Sequence, residues 1–485
     1  MSSHPAATTH SSFETLIPAR LDRLPWARFH WLLVVGLGIT WVLDGLEITM
    51  MGAVGAVLQR PGVLGFDAAQ IGFISSCYLA GAVLGSLVFG YLTDRFGRRP
   101  FFFISLSIYL AGVGLTAISW NLASFAVFRF ITGAGIGGEY AAVNSAIDEL
   151  IPARLRGRID LMVNGSFWLG AAAGSASTIL ILNPHLFAPN LGWRLGFGIG
   201  ALIGLVILPL RHFIPESPRW LLTHGQHEAA EEAIAGIERT IVAETGQRLH
   251  DLPREEALTI HVRQHFSLRE ILRPLVTDYW RRSLLAGVLM VAQAFVYNAI
   301  FFTYALVLNR FYGVPADTTG LYLLPFALGN FLGPIVLGPL FDIVGRRQMI
   351  AFCYALSALI LVLTGWLFAH GMLSSTSQTT LWTVMFFFAS PAASSAYLTV
   401  SEIFPLEIRA LTIAIFFSVG TAVGGIAAPW LFGRLIDSGT RIDLLYGYVL
   451  AGALMLIAAL TEVKFGVAAE RKGLEEIAAP LSVAD

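Results

Sequence analysis

Gly90-Tyr-Leu-Thr-Asp94-Arg95-Phe-Gly97-Arg98-Arg99 and Gly338-Pro-Leu-Phe-Asp342-Ile-Val-Gly345-Arg346-Arg347 are two copies of one pattern, 248 residues apart. Each keeps Gly, Asp, Gly and a pair of arginines in register, and each joins two long apolar runs. A second pair lies further on: Glu149-Leu-Ile-Pro-Ala-Arg-Leu-Arg156 and Glu402-Ile-Phe-Pro-Leu-Glu-Ile-Arg409, both of the form Glu-x6-Arg, 253 residues apart. Two motif pairs at nearly equal offsets mark an internal duplication, so the chain reads as two related halves.

Composition says where those halves sit. Of 485 residues, 56% are hydrophobic and 13% charged, against about 25% charged in soluble domains. The mean hydropathy is +0.70. Twelve apolar runs of membrane-crossing length fall at 31–57, 70–92, 100–120, 122–146, 159–182, 193–213, 283–308, 319–341, 349–369, 380–400, 410–433 and 443–464. Each is expected to be a helix, because backbone groups in lipid need partners within their own segment. The expected fold is an all-α membrane protein of two pseudo-symmetric six-helix bundles. Residues 1–30 form an N-terminal tail, 31–213 the first bundle, 214–282 a polar linker with short amphipathic helices, 283–464 the second bundle and 465–485 a C-terminal tail. The first apolar run is too long for the core of a cleavable signal and reads as a retained span.

Arginines set the orientation. They crowd the N-terminal tail, the two repeated loops, Arg154/Arg156/Arg158 and the linker, with Arg409 and, after the last span, Lys464/Arg471/Lys472 on the same side. These regions are expected in the cytoplasm, with both termini, and the setting is expected to be a bacterial inner membrane. A net charge of −1 gives no sign of nucleic-acid binding. Cys77 and Cys353 each lie in an apolar run, and the histidines, His224, His227, His261 and His265 among them, show no metal spacing. No metal or cofactor is expected.

In the repeated loops glycine permits a sharp turn and close helix approach. Asp and Arg are spaced to pair across helix ends on the cytoplasmic side, and such pairs can latch that side shut. Fixing topology alone needs only positive charge. Parallel repeats of this kind build carriers in which one half rocks against the other around a midplane site. Four ionisable residues lie deep within spans: Asp44 and Glu47 in span 1, Arg129 and Glu139 in span 4. A buried charge costs about 2.5–3.5 kcal/mol at a helix centre. Asp44 and Glu47, three apart, share a face. A carboxylate that an arginine approaches or leaves can take and release a proton; the static alternative is an ion pair that holds spans 1 and 4 together.

On these motifs the chain resembles the major facilitator superfamily over nearly its whole length. Pro215-Glu216-Ser217-Pro218-Arg219-Trp220-Leu221 resembles the sugar-porter signature after span 6, as do both Glu-x6-Arg stretches and Arg129-Phe-Ile-Thr-Gly133-Ala-Gly135-Ile-Gly137-Gly138. The resemblance implies alternating access, with a cytoplasmic gate made of Asp94, Arg95, Gly97, Arg98, Arg99, Glu149, Arg156, Glu216, Arg219, Asp342, Gly345, Arg346, Arg347, Glu402 and Arg409. It places Glu47 at the sugar porters' coupling aspartate and Arg129 at their span-4 arginine. Asp44-Gly-Leu-Glu47 is also similar to the Asp-Gly-x-Asp motif of aromatic-acid:proton symporters. Proton coupling is thereby expected from Asp44, Glu47, Arg129 and Glu139.

Span 7 carries Gln293, Tyr297, Asn298 and Tyr304. Gln293 and Asn298 keep the sugar-porter spacing, whereas Ala292, Phe295 and Val296 depart from it. Asn164 stands where sugar porters have a span-5 glutamine, and Tyr397 where they have a span-10 tryptophan. Added aromatics, Trp168 among them, suit a flatter solute than a hexose. The expected solute site is Asn164, Trp168, Gln293, Tyr297, Asn298 and Tyr397. The expected activity is proton symport of an organic acid or related metabolite by a monomer, whose partners are the solute, protons and the bilayer. The alternatives are a sugar:proton symporter, an uncoupled facilitator and a non-transporting receptor. No Gly-x-Ser-x-Gly, His-Glu-x-x-His or phosphate-binding loop points to an enzyme.

Overall fold

The computed structural model describes residues 12–183, 185–254, 257–261, 268–300, 303–314 and 319–479. His265 of the linker and Phe301–Phe302 of span 7 lie outside these, as do the ends of both tails. Among the described residues twelve spans are seen. The first bundle comprises span 1 (Arg28–Leu58), span 2 (Ala68–Phe96), span 3 (Arg98–Ala117), span 4 (Leu122–Leu150), span 5 (Arg156–Gly165 continued as Phe167–Ile181) and span 6 (Pro189–Ile207). The second comprises span 7 (Trp280–Ile300), span 8 (Thr319–Ile343), span 9 (Arg346–Ala369), span 10 (Ser375–Ile403), span 11 (Arg409–Asp437) and span 12 (Arg441–Phe465). Ten described helices are long and apolar enough to cross a membrane. Span 4 falls outside that set with Arg129, Glu139, Asp148 and Glu149 along it, and span 5 is interrupted at Ser166.

Spans 4 and 10 run to Leu150 and Ile403, about one turn past the ends of their apolar stretches at 146 and 400. Asp148, Glu149 and Glu402 end these helices inside the protein, among arginines, and not in lipid. Span 11 contains a π turn at Thr421–Gly425. Pro429 lies four residues past Gly425 and has no N–H to donate to it, which suits a local break in the ladder.

Helix starts are capped differently on the two sides. Spans 2, 4, 10 and 12 begin with their own side chains, Asp67, Asn121, Ser374 and Thr440, accepting first-turn N–H groups, as N-caps do. Spans 3, 5, 9 and 11, which start at the end that carries the repeated loops, draw on carboxylates distant in sequence. Glu216 accepts from Arg98 N at 2.9 Å and Arg99 N at 3.1 Å, and Glu470 from Arg346 N at 3.3 Å. Gly97 (φ 99°) and Gly345 (φ 125°) open spans 3 and 9 in the left-handed region, where glycine alone is unstrained.

The linker forms two helices beneath the first bundle, Pro218–Thr223 and His227–Thr245, the latter burying Ala230, Ile234, Ile237 and Ile241. A two-stranded antiparallel sheet, absent from the sequence expectation, pairs Ser12–Thr15 with Leu258–His261. The Ile17–Asp22 helix is clasped to the linker by Arg20–Glu238 (2.6 Å) and Arg23–Glu238 (2.6 Å). Burial pushes the Glu238 carboxyl up, but hydrogen bonds from Arg20 and Arg23 outweigh it and hold the group below the usual range.

Small residues weld spans 2 and 4 together. A Cβ on Gly133 would lie 2.0 Å from the Tyr78 carbonyl oxygen, and one on Gly137 would lie 2.0 Å from that of Ala82. Gly133→Leu is therefore expected to lower the melting temperature of the purified protein, by at least the roughly 1–3 kcal/mol typical of overpacking. An unchanged melting curve would mean that spans 2 and 4 part without cost.

Candidate functional site

The end of the molecule that carries the repeated loops holds two matching networks. In one, Arg98 binds Glu149 (2.8 Å) and Asp94 (3.2 Å). In the other, Arg346 binds Glu402 (3.1 Å) and Asp342 (2.7 Å). All six side chains are buried. The halves are joined by what these carboxylates do next. Asp94, in the first half, accepts from Ala410 N (3.2 Å) and Leu411 N (2.8 Å) at the start of span 11. Asp342, in the second half, accepts from Gly157 N (3.2 Å) and Arg158 N (2.9 Å) at the start of span 5. Arg156 reaches Glu402 and Arg409 reaches Glu149 across the same boundary, each at 3.6 Å. The Asp–Arg pairs expected across helix ends lie within each half. The shortest bonds between halves run from carboxylate to helix N-terminus, with the two longer Arg–Glu pairs beside them.

Other members of the expected gate sit around this core. Glu216 caps span 3, and Arg219 binds Asp22 (3.1 Å), Glu475 (2.8 Å) and the Glu149 carbonyl (2.6 Å). Arg95, Arg99 and Arg347 are exposed; Arg95 donates to the Tyr91 hydroxyl (3.2 Å) and Arg347 to the Val463 carbonyl.

At mid-depth of the first bundle, Arg129 forms an ion pair with Glu47. Its guanidinium lies 4.4 Å from the Tyr78 ring centroid, within cation–π range. Asp44 accepts hydrogen bonds from two phenols, Tyr78 (2.8 Å) and Tyr140 (2.6 Å). Asp44, Glu47 and Arg129 are nearly or fully buried, so this cluster holds two carboxylates and one guanidinium. Glu139 belongs to a separate group. Arg211 grips it through Nη1 (2.9 Å) and Nη2 (2.5 Å), and Thr40 and Ser105 also donate to it.

Between the halves lies a cavity of about 210 Å³. Asn164, Trp168, Gln293, Tyr297, Asn298 and Tyr397 all line it, with Trp41, Tyr78, Tyr140, Phe417 and Thr421 of the π turn. Tyr304, on the same face of span 7 in the sequence, is instead buried against Thr379 and Trp382. Several polar lining groups are already engaged. Tyr297 donates to Asn330 (2.7 Å), and Asn164 donates to Asn144 (3.1 Å) and Asp160 (3.2 Å). Aromatic rings face the space from both halves: Tyr140 stacks on Tyr397 (6.1 Å, 20°), and Trp168 tilts against Tyr297 (5.6 Å, 34°). Tyr78 and Tyr140 thus link the cavity wall to Asp44.

Sequence reasoning missed Arg211, which lies at the end of span 6 and looks there like one more topology arginine. It also passed over Asp148 and Asp160. Their signal was available: two acids in one half with no acid at the matching repeat position of the other.

Comparison with known proteins agrees with the architecture. A family model described as Sugar (and other) transporter matches residues 36–480. The niacin transporter NiaP of Acinetobacter baylyi is 27% identical over 461 residues, 94% of this chain and 99% of that protein. The 4-hydroxybenzoate transporter PcaK of the same organism is 30% identical over 228 residues, 47% of this chain and 48% of that one. The proton:xylose symporter XylE, bound to 6-bromo-6-deoxy-D-glucose, superposes with a TM-score of 0.72 at 20% identity, covering 92% of this chain and 98% of its own.

Breaking one side of a buried ion pair strands the other charge, at about 3–5 kcal/mol. Arg211→Ala should therefore lower the melting temperature sharply, and Glu139→Gln combined with Arg211→Met should recover most of the loss. Equal melting of the single and double variants would show that the pair is not what holds span 6 to span 4.

Proposed function

The chain belongs to the sugar (and other) transporter family, and from that premise we propose that it carries a small, flat organic acid into the cell together with a proton. It is a multi-pass membrane transporter with the major facilitator fold. The observation that carries the coupling proposal is the charge imbalance at mid-depth: two carboxylates, Asp44 and Glu47, against one guanidinium. With Glu47 on Arg129, Asp44 is the surplus acid, and the phenols of Tyr78 and Tyr140 connect it to the solute cavity. An acid with no cation of its own is the member of the cluster left free to take up a proton. A proton entering with the solute neutralises Asp44, and opening to the cytoplasm returns it to water. In this reading Glu139, held by Arg211, fixes span 4 against span 6.

The aromatic walls support a planar solute, as do relatives named for niacin and 4-hydroxybenzoate. Amides from Asn164, Gln293 and Asn298 supply hydrogen bonds, while Trp168, Tyr297 and Tyr397 supply ring faces. The gate networks keep the cytoplasmic side closed until both halves rock. The arginine-rich loops support a bacterial inner-membrane setting with both termini cytoplasmic, and the cavity within one chain supports a monomer as the working unit.

Liposomes with an internal pH dye test the coupling. External nicotinate, 4-hydroxybenzoate or xylose is added without an imposed potential, and protein-free liposomes correct for passive acid entry. Acidification with one of the two acids, lost in Asp44→Asn, is the expected outcome. Labelled uptake with no proton movement would overturn the coupling. Acidification with xylose alone would make the protein a sugar symporter.

The gate yields a separate prediction. Asp342→Asn removes a charged cap, and hydrogen bonds to charged groups are worth about 1.5–3 kcal/mol. A cysteine introduced at Ser390, in the cavity wall, should then react several-fold faster with an impermeant maleimide supplied from the cytoplasmic side. An unchanged rate would remove Asp342 from the gate.

A further inference from the structure

The internal repeat identifies groups that the gate does not need. At the offset of 253 that places Glu149 on Glu402 and Arg156 on Arg409, Asp148 falls on Ser401 and Asp160 on Ile413. The second half has no acid at either position. Both aspartates are fully buried, 0% exposed, near the cytoplasmic ends of spans 4 and 5. Among the buried gate arginines, Arg98, Arg156, Arg346 and Arg409 are matched in number by Asp94, Glu149, Asp342 and Glu402, and Arg219 is held by Asp22 and Glu475. Asp148 and Asp160 take no part in those ion pairs and are surplus.

Their oxygens are correspondingly short of donors. Neither carboxylate oxygen of Asp148 has a hydrogen-bond partner, nor has Oδ1 of Asp160. Oδ2 of Asp160 accepts from Asn164 Nδ2 at 3.2 Å, and Asn164 lines the solute cavity. Asn164 Nδ2 also donates to Asn144 Oδ1 at 3.1 Å; Asn144 stands one turn before Asp148 on span 4 and Asn164 one turn after Asp160 on span 5, so the antiparallel spans bring the two aspartates together. The other charged groups facing Asp148 are Glu402 of span 10, Arg156 of span 5 and Arg409 of span 11. Arg156 Nε is committed to the Asp148 backbone carbonyl at 3.1 Å. Ser401 also faces Asp148, but donates its hydroxyl proton to the Leu398 carbonyl at 2.9 Å. Asp160 faces Asp148, Glu402 and Arg346. From span 8, Asp342 binds the backbone of Gly157 and Arg158 nearby, and span 1 packs on the same stretch through Gly38 against Val163.

We propose that Asp148 and Asp160 form a second proton-binding site, between the solute cavity and the cytoplasm, that holds one proton between them while the cytoplasmic side is closed. Two neighbouring carboxylates sealed from water do not both ionise. One shared proton converts one of them into an O–H donor aimed at the other, which supplies the missing hydrogen bond. When the halves part on the cytoplasmic side, Glu402 and Arg409 withdraw with the second half and water reaches the pair. The O–H bond breaks, the proton passes to water and two solvated carboxylates remain. Closing again requires a proton from the cytoplasm, so the site ties gate closure to cytoplasmic pH. Its place in the transport cycle rests on the coupling proposed above, but its proton does not, and it can be measured without solute.

Infrared spectroscopy of the reconstituted full-length protein provides that test, through the deuterium-sensitive carbonyl band of protonated carboxylic acids at neutral pH. Asp148→Asn and Asp160→Asn should each lose one carboxylic-acid equivalent relative to the unsubstituted protein, because either partner alone, beside Arg156 or Arg346, ionises. The double variant should lose no more than one. Asp160→Glu should keep the band at a shifted frequency, and this conservative variant decides the matter should the asparagine variants not fold. A full band in the asparagine variants, or an unshifted band in Asp160→Glu, would overturn the site. Loss of a different equivalent in Asp44→Asn bears only on the coupling at mid-depth, so the two readings fail separately.

Discussion

Spans 3, 5, 9 and 11 begin at the end that carries the repeated loops without a side-chain cap of their own, and the contact between the halves depends on where those caps come from. The first turn of any helix leaves N–H groups without partners. Spans 3 and 9 are served by Glu216 and Glu470, which follow spans 6 and 12. Spans 5 and 11 are served across the molecular divide, by Asp342 and Asp94. Rocking the halves apart therefore uncaps two helices at once, and water must take over both sets of N–H groups. The arginines in the same networks keep the capping carboxylates charged and correctly placed. They are supports for the caps as much as links between halves.

The repeat makes the backbone nearly symmetric while the chemistry is not. Deep ionisable groups, Asp44, Glu47, Arg129, Glu139 and Arg211, belong to the first bundle. The second bundle contributes amides, hydroxyls and rings to the cavity wall: Gln293, Tyr297, Asn298, Ser390, Ser394 and Tyr397. The matching position of Asn164 in the second half is Phe417, and that of Asn144 is Tyr397. One duplicated scaffold thus presents an ionisable half and a neutral, aromatic half to the same space.

Much of this was legible in the sequence, because hydropathy, arginine placement and repeated motifs are properties of the chain alone. The six residues expected at the solute site all line one cavity, because each was read at a fixed position in its span. What was not legible depends on partners. That Asp94 caps span 11 could not be read from Asp94, because its acceptors' partners are backbone groups 316 and 317 residues away. Arg211 was hidden by its position at a span end, where an arginine has an ordinary topological reason to be. Glu139 looked like a neighbour of Arg129 until the turn of span 4 put it against Arg211. The π turn in span 11 leaves only Gly420, Gly424, Gly425 and Pro429 as traces, and glycines are common in membrane helices for other reasons.

The glycine contacts also say how stiff the first bundle is. Spans 2 and 4 are joined backbone to backbone at Gly81, Gly85, Gly133 and Gly137, and spans 1 and 5 at Gly45, Gly170 and Gly174. Backbones this close leave no side-chain layer to shear, so each pair moves as one piece. Glu47–Arg129 and the bonds from Tyr78 and Tyr140 to Asp44 run from one welded pair to the other. The charged cluster therefore sits in a mechanical seam, where a change of a single charge alters the force between two rigid bodies and not merely the rotamer of one side chain.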